Sequence, residues 1–159
     1  MVSTKKVVLG AVTALIGVIG AGAAALAVTM PSGVHGPGAV LAELQGHTDT
    51  SDHATAEAAP RADVPGWTRD LGTDVVVVRP GEAAGFDDGN VRTDMTLPGG
   101  TTLPADCTAL DQVGMPWDGG GRWPDLGGTA QLCDGWVTVV LDDHLYAWTA
   151  DDLLAEARG

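Results

Sequence analysis

The chain has 159 residues and a formal net charge of −13 at pH 7. This length accommodates one domain with an export segment and a linker, but not two ordinary domains. Lys5 and Lys6 precede a long apolar run, and every acidic residue follows it, which leaves six arginines against 21 acids in the rest of the chain. Such a field repels polyphosphates, so nucleic acid is excluded as a partner.

Residues 7–28 form an uncharged, apolar run that is long enough, as a helix, to span a bilayer core of about 30 Å. The two lysines before it predict a cytoplasmic stub at residues 1–6 and a translocated C-terminal part. A single-pass anchor over residues 7–30 and a signal peptide cleaved near Ala27 both fit this pattern, because Ala25-Leu26-Ala27 has the form of a cleavage site. The chain is therefore expected in the cell membrane or secreted.

Residues 31–63 are rich in Pro, Gly, Ala, Thr and Asp and contain no aromatic side chain. This composition predicts a disordered linker, because the segment buries too little apolar surface to offset its chain entropy. His47, Asp49, Asp52 and His53 carry metal-ligating groups, but their spacing matches no closed metal site. We interpret them as part of a solvated tether.

Residues 64–159 contain all five tryptophans and both cysteines, and they predict an all-β domain outside the membrane. The β-branched run 75–78 and the segment 91–97 predict strands. Residues 135–141, a turn at 142–144 and residues 145–149 predict a β-hairpin with apolar side chains on both faces. Thr149 predicts the cap of a short C-terminal helix.

The order of these segments resembles the bacterial SH3-type barrels. The matching pieces are residues 78–81 (VRPG), 96–101 (TLPGGT), 135–141 (GWVTVVL), 146–148 (YAW) and 152–154 (DLL). The resemblance implies a small SH3-like barrel that acts as a binding module. It does not extend to residues 104–132, so no binding residue is taken over from the family.

Cys107 and Cys133 are the only cysteines, and an even number in an exported domain favours a structural disulfide. The loop between them carries Trp117, Arg122 and Trp123 on a Gly-rich backbone. Exposed, these rings would contact a sugar or a peptide, and folded back they would cover one end of the barrel. We take Trp117, Trp123, Arg122 and Tyr146 as candidate binding residues.

The sequence predicts no catalytic site. There is no serine after Ser51 and no lysine after Lys6, and His144 is the only histidine of residues 64–159, so Ser/His and Cys/His nucleophiles are not expected there. The acidic clusters at 87–90 and 142–143 fit turns better than calcium sites. No metal and no cofactor are expected.

These patterns lead to two functional hypotheses. The first is a non-enzymatic binding module, tethered at the cell envelope, that contacts a cell-wall polymer or an envelope protein. The second is an accessory single-pass subunit whose hydrophobic helix packs within a larger membrane complex.

Overall fold

A computed structural model of the chain describes residues 30–85, 90–111, 113, 123–124, 126 and 130–149. Within these residues the chain forms one α-helix, three 3-10 helices (Arg61–Asp63, Gly66–Thr68 and Glu82–Ala84) and a seven-stranded antiparallel sheet. All of these elements belong to the unit that begins at Pro31. The prediction of a predominantly β fold is confirmed.

The helix, α1, spans Gly36–Leu44. The strands are β1 (Thr48–Thr55), β2 (Thr73–Pro80), β3 (Arg92–Thr96), β4 (Thr108–Ala109), β5 (Gln131–Cys133), β6 (Trp136–Leu141) and β7 (His144–Thr149). Their order in the sheet is β1-β2-β3-β7-β6-β5-β4. The last of the described strands, β7, is therefore inserted next to β3, in the middle of the sheet.

The β6–β7 hairpin predicted from the sequence is confirmed. Leu141 pairs with His144, so the turn consists of Asp142 and Asp143 alone, one residue shorter than expected. Asp142 has a positive φ of 57°, a conformation that Asp tolerates better than most residues. Side chains on both faces of β6 are buried, in agreement with the predicted apolar character of both faces.

A second tight hairpin joins β5 to β6. Asp134 and Gly135 form its two-residue turn, with φ values of 51° and 81°, and Cys133 pairs with Trp136 on either side. Asp-Gly is the favoured pair for such turns because both central residues need positive φ. The turn reverses the chain, so that Cys133 at the end of β5 pairs with Trp136 at the start of β6.

The prediction that residues 31–63 are a disordered linker is wrong. Helix α1 and strand β1 lie within this segment, and β1 pairs with β2 from Thr48↔Pro80 to Thr55↔Thr73. The sequence of β1, TDTSDHAT, lacks an apolar alternation, but its pairing with the Val-rich β2 supplies the stability that its own composition does not. The folded domain thus begins before residue 64.

One face of the sheet, which we call face A, carries the larger core. Residues 56–68 cross this face, and Arg79 at its margin pairs with the buried carboxylate of Asp63. The buried apolar side chains of this core are Ala56, Ala59, Val64, Val75, Val77, Val91, Met95, Leu97, Trp136, Leu145 and Ala147.

The opposite face, face B, carries a second core around β6 and β7. Its buried members are Leu126, Ala130, Val137, Val139 and Trp148. Leu110, Val113, Trp123 and Tyr146 pack against them. Since cores pack on both faces, β6 and β7 are interior strands, with partly exposed side chains only towards the strand ends and at Tyr146.

Several predicted features lie outside the described residues. These are the apolar segment 7–28, residues 87–89 of the turn predicted at 87–90, the C-terminal helix, Trp117 and Arg122. Within the part of the chain that the structure describes, no helix is long and apolar enough to cross a membrane.

Candidate functional site

Face B brings polar side chains of β3 and β7 together. Asp94 lies directly opposite Tyr146, and Thr96 lies opposite His144. Because paired residues of antiparallel strands point to the same face, these side chains share one surface. The Nε2 atom of His144 lies 3.2 Å from Oδ1 of Asp94.

Trp123 comes from the long loop between β4 and β5 and lies on this surface. Its indole N–H donates a hydrogen bond of 3.1 Å to Oδ2 of Asp94. The ring packs edge-on against Tyr146, with 5.3 Å between centroids, and is tilted against Trp148 at 5.8 Å. Both aromatic and polar contacts therefore hold this residue of the loop in place.

Arg92 supports the same ring. Its side chain is buried, and its guanidinium carbon lies 5.2 Å from the centroid of Trp123, within the range of a cation–π interaction. Arg92 pairs with Trp148 in the β3–β7 register. It therefore lies on the side of Asp94 that is further from the β6–β7 turn. Asp94 and His144 lie further along the two strands, towards the β6–β7 turn.

The titration of Tyr146 reflects these surroundings. Burial raises the pKa of its phenol above the ordinary value of 10.0, and the negative charge of Asp94 raises the pKa further. Tyr146 is therefore a neutral hydroxyl throughout the physiological pH range. The His144 ring is stacked at a tilt beside it, with 4.8 Å between centroids.

We call the group formed by Asp94, Trp123, His144 and Tyr146 the aromatic cluster. The side chains of His144 and Asp94 remain 31 % and 22 % exposed, and Trp123 and Tyr146 are half-buried. The cluster combines a carboxylate, an imidazole and a phenol with one larger aromatic ring, the indole of Trp123. Such a surface can stack on an apolar ring face of a ligand and exchange hydrogen bonds with its hydroxyl or amide groups.

The loop that carries Trp123 is closed at its base by the disulfide. Cys107 and Cys133 are bonded, with 4.5 Å between their Cα atoms and a sequence separation of 26, which confirms the predicted bridge. Next to it, β4 pairs with β5, and the Leu110 N–H donates a hydrogen bond of 2.9 Å to the Ala130 carbonyl. Both ends of the loop are therefore fixed to the sheet.

The candidate residues from the sequence have different outcomes. The structure brings Trp123 and Tyr146 into contact, and the Trp123 ring lies against the sheet. Sequence reasoning missed Asp94 and placed His144 in a turn. The sequence of β3, RTDMT, did contain a signal for Asp94. Arg92, Asp94 and Thr96 alternate with Thr93 and Met95, and alternate residues of a strand lie on opposite faces of the sheet.

A further pair was missed because β1 was taken as linker. The hydroxyl of Ser51 lies 3.1 Å from Nε2 of His53, and both side chains are on face A beside Val77 and Val75. Asp52 points to the other face and accepts hydrogen bonds from the N–H and hydroxyl of Ser32, at 2.7 and 2.8 Å. These bonds tie the start of the domain to the edge strand.

Comparison with known proteins adds no identification, because no protein-family model, no curated protein and no solved structure matches the chain.

Proposed function

We propose that this chain is a non-enzymatic binding module, tethered at the cell envelope, whose aromatic cluster contacts a cell-wall polymer or an envelope protein. The observation that carries the proposal is the position of Trp123. A disulfide-closed loop places this ring beside Tyr146 and Asp94 at the edge of face B. Aromatic rings beside hydrogen-bonding groups are common in recognition surfaces.

The disulfide supports a location outside the cytoplasm. Structural disulfides persist in oxidising compartments, whereas cytoplasmic thiols are kept reduced. Together with the uncharged run 7–28 behind two lysines, the bond supports delivery across the membrane with the N-terminus inside.

The charge of the domain limits the classes of ligand that it can bind. Six arginines against 21 acids after the apolar run disfavour a polyanionic polymer. We therefore propose a ligand that is neutral or cationic, such as an uncharged stretch of wall glycan or a basic peptide segment.

The SH3-type form is part of this proposal. Strands β2, β3, β6 and β7 contain or adjoin four of the five segments on which the resemblance depends. The proposed form requires these strands to curve into a small barrel. An experimental structure in which they do not curve in this way would contradict it.

A sedimentation assay with purified, insoluble cell wall tests the function. Full-length protein in detergent should sediment with the wall, and the variants His144→Ala and Tyr146→Ala should reduce the bound fraction. Glu57→Gln, at an exposed position, provides the control. Trp117→Ala tests the other ring of the loop.

Absence of sedimentation with the wall would direct the search to envelope proteins by crosslinking in cells. Binding that is equal in the wild type and in the cluster variants would contradict the proposed site.

A further inference from the structure

Helix α1 presents two leucines to solvent. Leu41 and Leu44 are each 54 % exposed, whereas the other two large hydrophobic side chains exposed within the described residues, Leu71 and Leu141, are each 38 % exposed. Positions three apart in a helix lie on the same side. The two leucines therefore form one continuous apolar patch.

The helix is firmly held on its other side. The carboxylate of Glu43 accepts hydrogen bonds from the Thr48 hydroxyl at 2.5 Å and from the N–H and hydroxyl of Thr50 at 3.1 and 2.9 Å. The His47 N–H donates a bond of 2.9 Å to the Ala42 carbonyl. The outward direction of the leucines is thus fixed by their attachment to β1.

The sequence that leads to this patch is unusual for so acidic a chain. Between Lys6 and Glu43 the sequence contains no charged side chain, with histidines neutral. Glu43 itself is engaged with the two threonines of β1. Helix α1 and the residues before it therefore bring no acidic cluster of their own to a lipid surface.

Only a short stretch of sequence separates the proposed membrane segment from this region. The apolar run ends at Val28, and Ser32 is already bonded to Asp52 of β1. Four residues span at most about 14 Å, so in an anchored chain the tether between the run and Ser32 is short.

From these observations we infer that α1 docks on the outer leaflet of the bilayer, with Leu41 and Leu44 in the boundary between headgroups and acyl chains. The occupant of the patch is lipid, and the contact is apolar because the helix offers no basic side chain. This inference rests on the anchored topology of the proposed function. Docking gives the domain a fixed orientation on the membrane.

The test uses the full chain in phosphatidylcholine nanodiscs that contain a small fraction of a headgroup-chelated gadolinium lipid. Methyl NMR then reports the broadening of leucine and valine signals by the bilayer surface. We expect several-fold greater broadening for Leu41 and Leu44 than for Leu71 and Leu141. Equal broadening of all four leucines in a chain that is bound to the disc overturns the docking.

A matched pair of variants separates docking from nearness caused by the anchor. In Leu41→Ser/Leu44→Ser the anchor is unchanged, so a loss of broadening at the neighbouring Val40 supports docking. The control Leu71→Ser/Leu141→Ser should leave Val40 broadened. Unchanged Val40 broadening in the first variant shows that the anchor alone explains the nearness and overturns the inference.

The same samples distinguish failure of docking from failure of the topology. A chain that elutes separately from the discs contradicts both the tether and the docking. A chain that elutes with the discs but shows no preferential leucine broadening contradicts the docking alone. The methyl signal of the buried Leu145 reports in every sample that the core is folded.

Discussion

Asp94 accepts the indole N–H of Trp123 across 29 positions of sequence and fixes a loop residue to the middle of the sheet. Its other carboxylate oxygen lies 3.2 Å from His144. One side chain of β3 therefore connects the loop, β7 and its own strand. The geometry of the aromatic cluster depends on this carboxylate.

Replacement of Asp94 by Ala should destabilise the fold by about 1–3 kcal/mol, because the partly buried indole N–H loses its acceptor. The Trp emission should shift to longer wavelength as Trp123 becomes more exposed. Denaturant unfolding followed by fluorescence measures both effects. Asp94→Asn, which keeps one oxygen acceptor, should lose less stability, and equal losses in the two variants would contradict the role of the hydrogen bond.

Tyr146 is the only tyrosine, so its ionisation can be followed directly by tyrosinate absorbance. The titration of the folded protein should have a midpoint above 10.0, because burial and Asp94 both raise the pKa, and should return to about 10.0 in denaturant. Asp94→Asn should lower the midpoint but leave it above 10.0, since burial remains. A folded-state midpoint at or below 10.0 would contradict this environment.

The same shift determines the direction of the pH effect on stability. The raised pKa of Tyr146 means that the fold favours the neutral phenol. The stabilisation from this preference is fully present below the pKa that Tyr146 has in the unfolded chain. It is lost as the pH rises through the higher pKa that Tyr146 has in the folded protein. Stability should therefore fall at alkaline pH, and Tyr146→Phe should show a smaller fall over the same range.

Loss of the disulfide should lower the free energy of unfolding by about 3.5 kcal/mol, the loop-closure value for a separation of 26 residues. The double variant Cys107→Ala/Cys133→Ala and chemical denaturation with and without reductant measure this. Reductant should destabilise the wild type and leave the double variant unchanged. An effect of reductant on the double variant would point to a cause other than the disulfide.

Asp134 has a φ of 51° in the turn between β5 and β6. Asp134→Ala should cost about 1 kcal/mol, because Ala tolerates the left-handed region less well than Asp. Asp134→Gly and Asp134→Asn should be close to the wild type in thermal unfolding. A loss with Gly as large as that with Ala would show that the side chain, and not the backbone, matters at this position.

A substitution at Gly81 tests how closely residues 46–48 pack against the end of β2. A Cβ atom at this position would overlap the carbonyl of Gly46, and the Gly81 N–H already donates a bond to His47 at 2.9 Å. Gly81→Ala should therefore destabilise the domain by about 1–3 kcal/mol. Gly99→Ala, where a Cβ would meet nothing within 4 Å, is the matched control. Equal stability of the two variants would contradict the packing of residues 46–48 on β2.

The parts of the fold that could be predicted are those with strong local signals. The valines at 75–78 and the hairpin of β6 and β7 are recognisable because β-branched and aromatic residues are bounded by turn residues. The cysteine pair was predictable because the number of cysteines is even and the apolar run before them predicts export. Each of these signals lies within a short segment or in composition.

The remainder depends on partners that are distant in sequence. Strand β1 has a polar composition and is stabilised by β2 and Glu43, neither of which is visible in its own residues. The contact of Asp94 with Trp123 requires the β3–β7 register and the course of a loop held by a disulfide. Local composition contains no information on either.

The insertion of β7 between β3 and β6 determines when the fold can be completed. A chain that emerges from its amino end presents β1, β2 and β3 first, but β3 pairs with a strand that begins some 50 residues later. Until Leu145 and Ala147 arrive, Val75 and Val77 lack two of the buried residues of their core, and one edge of β3 is unpaired. A chain in which β7 is not yet in place therefore has an unpaired strand edge that another such chain could occupy, and the described sheet closes only after residues 144–149 have joined it.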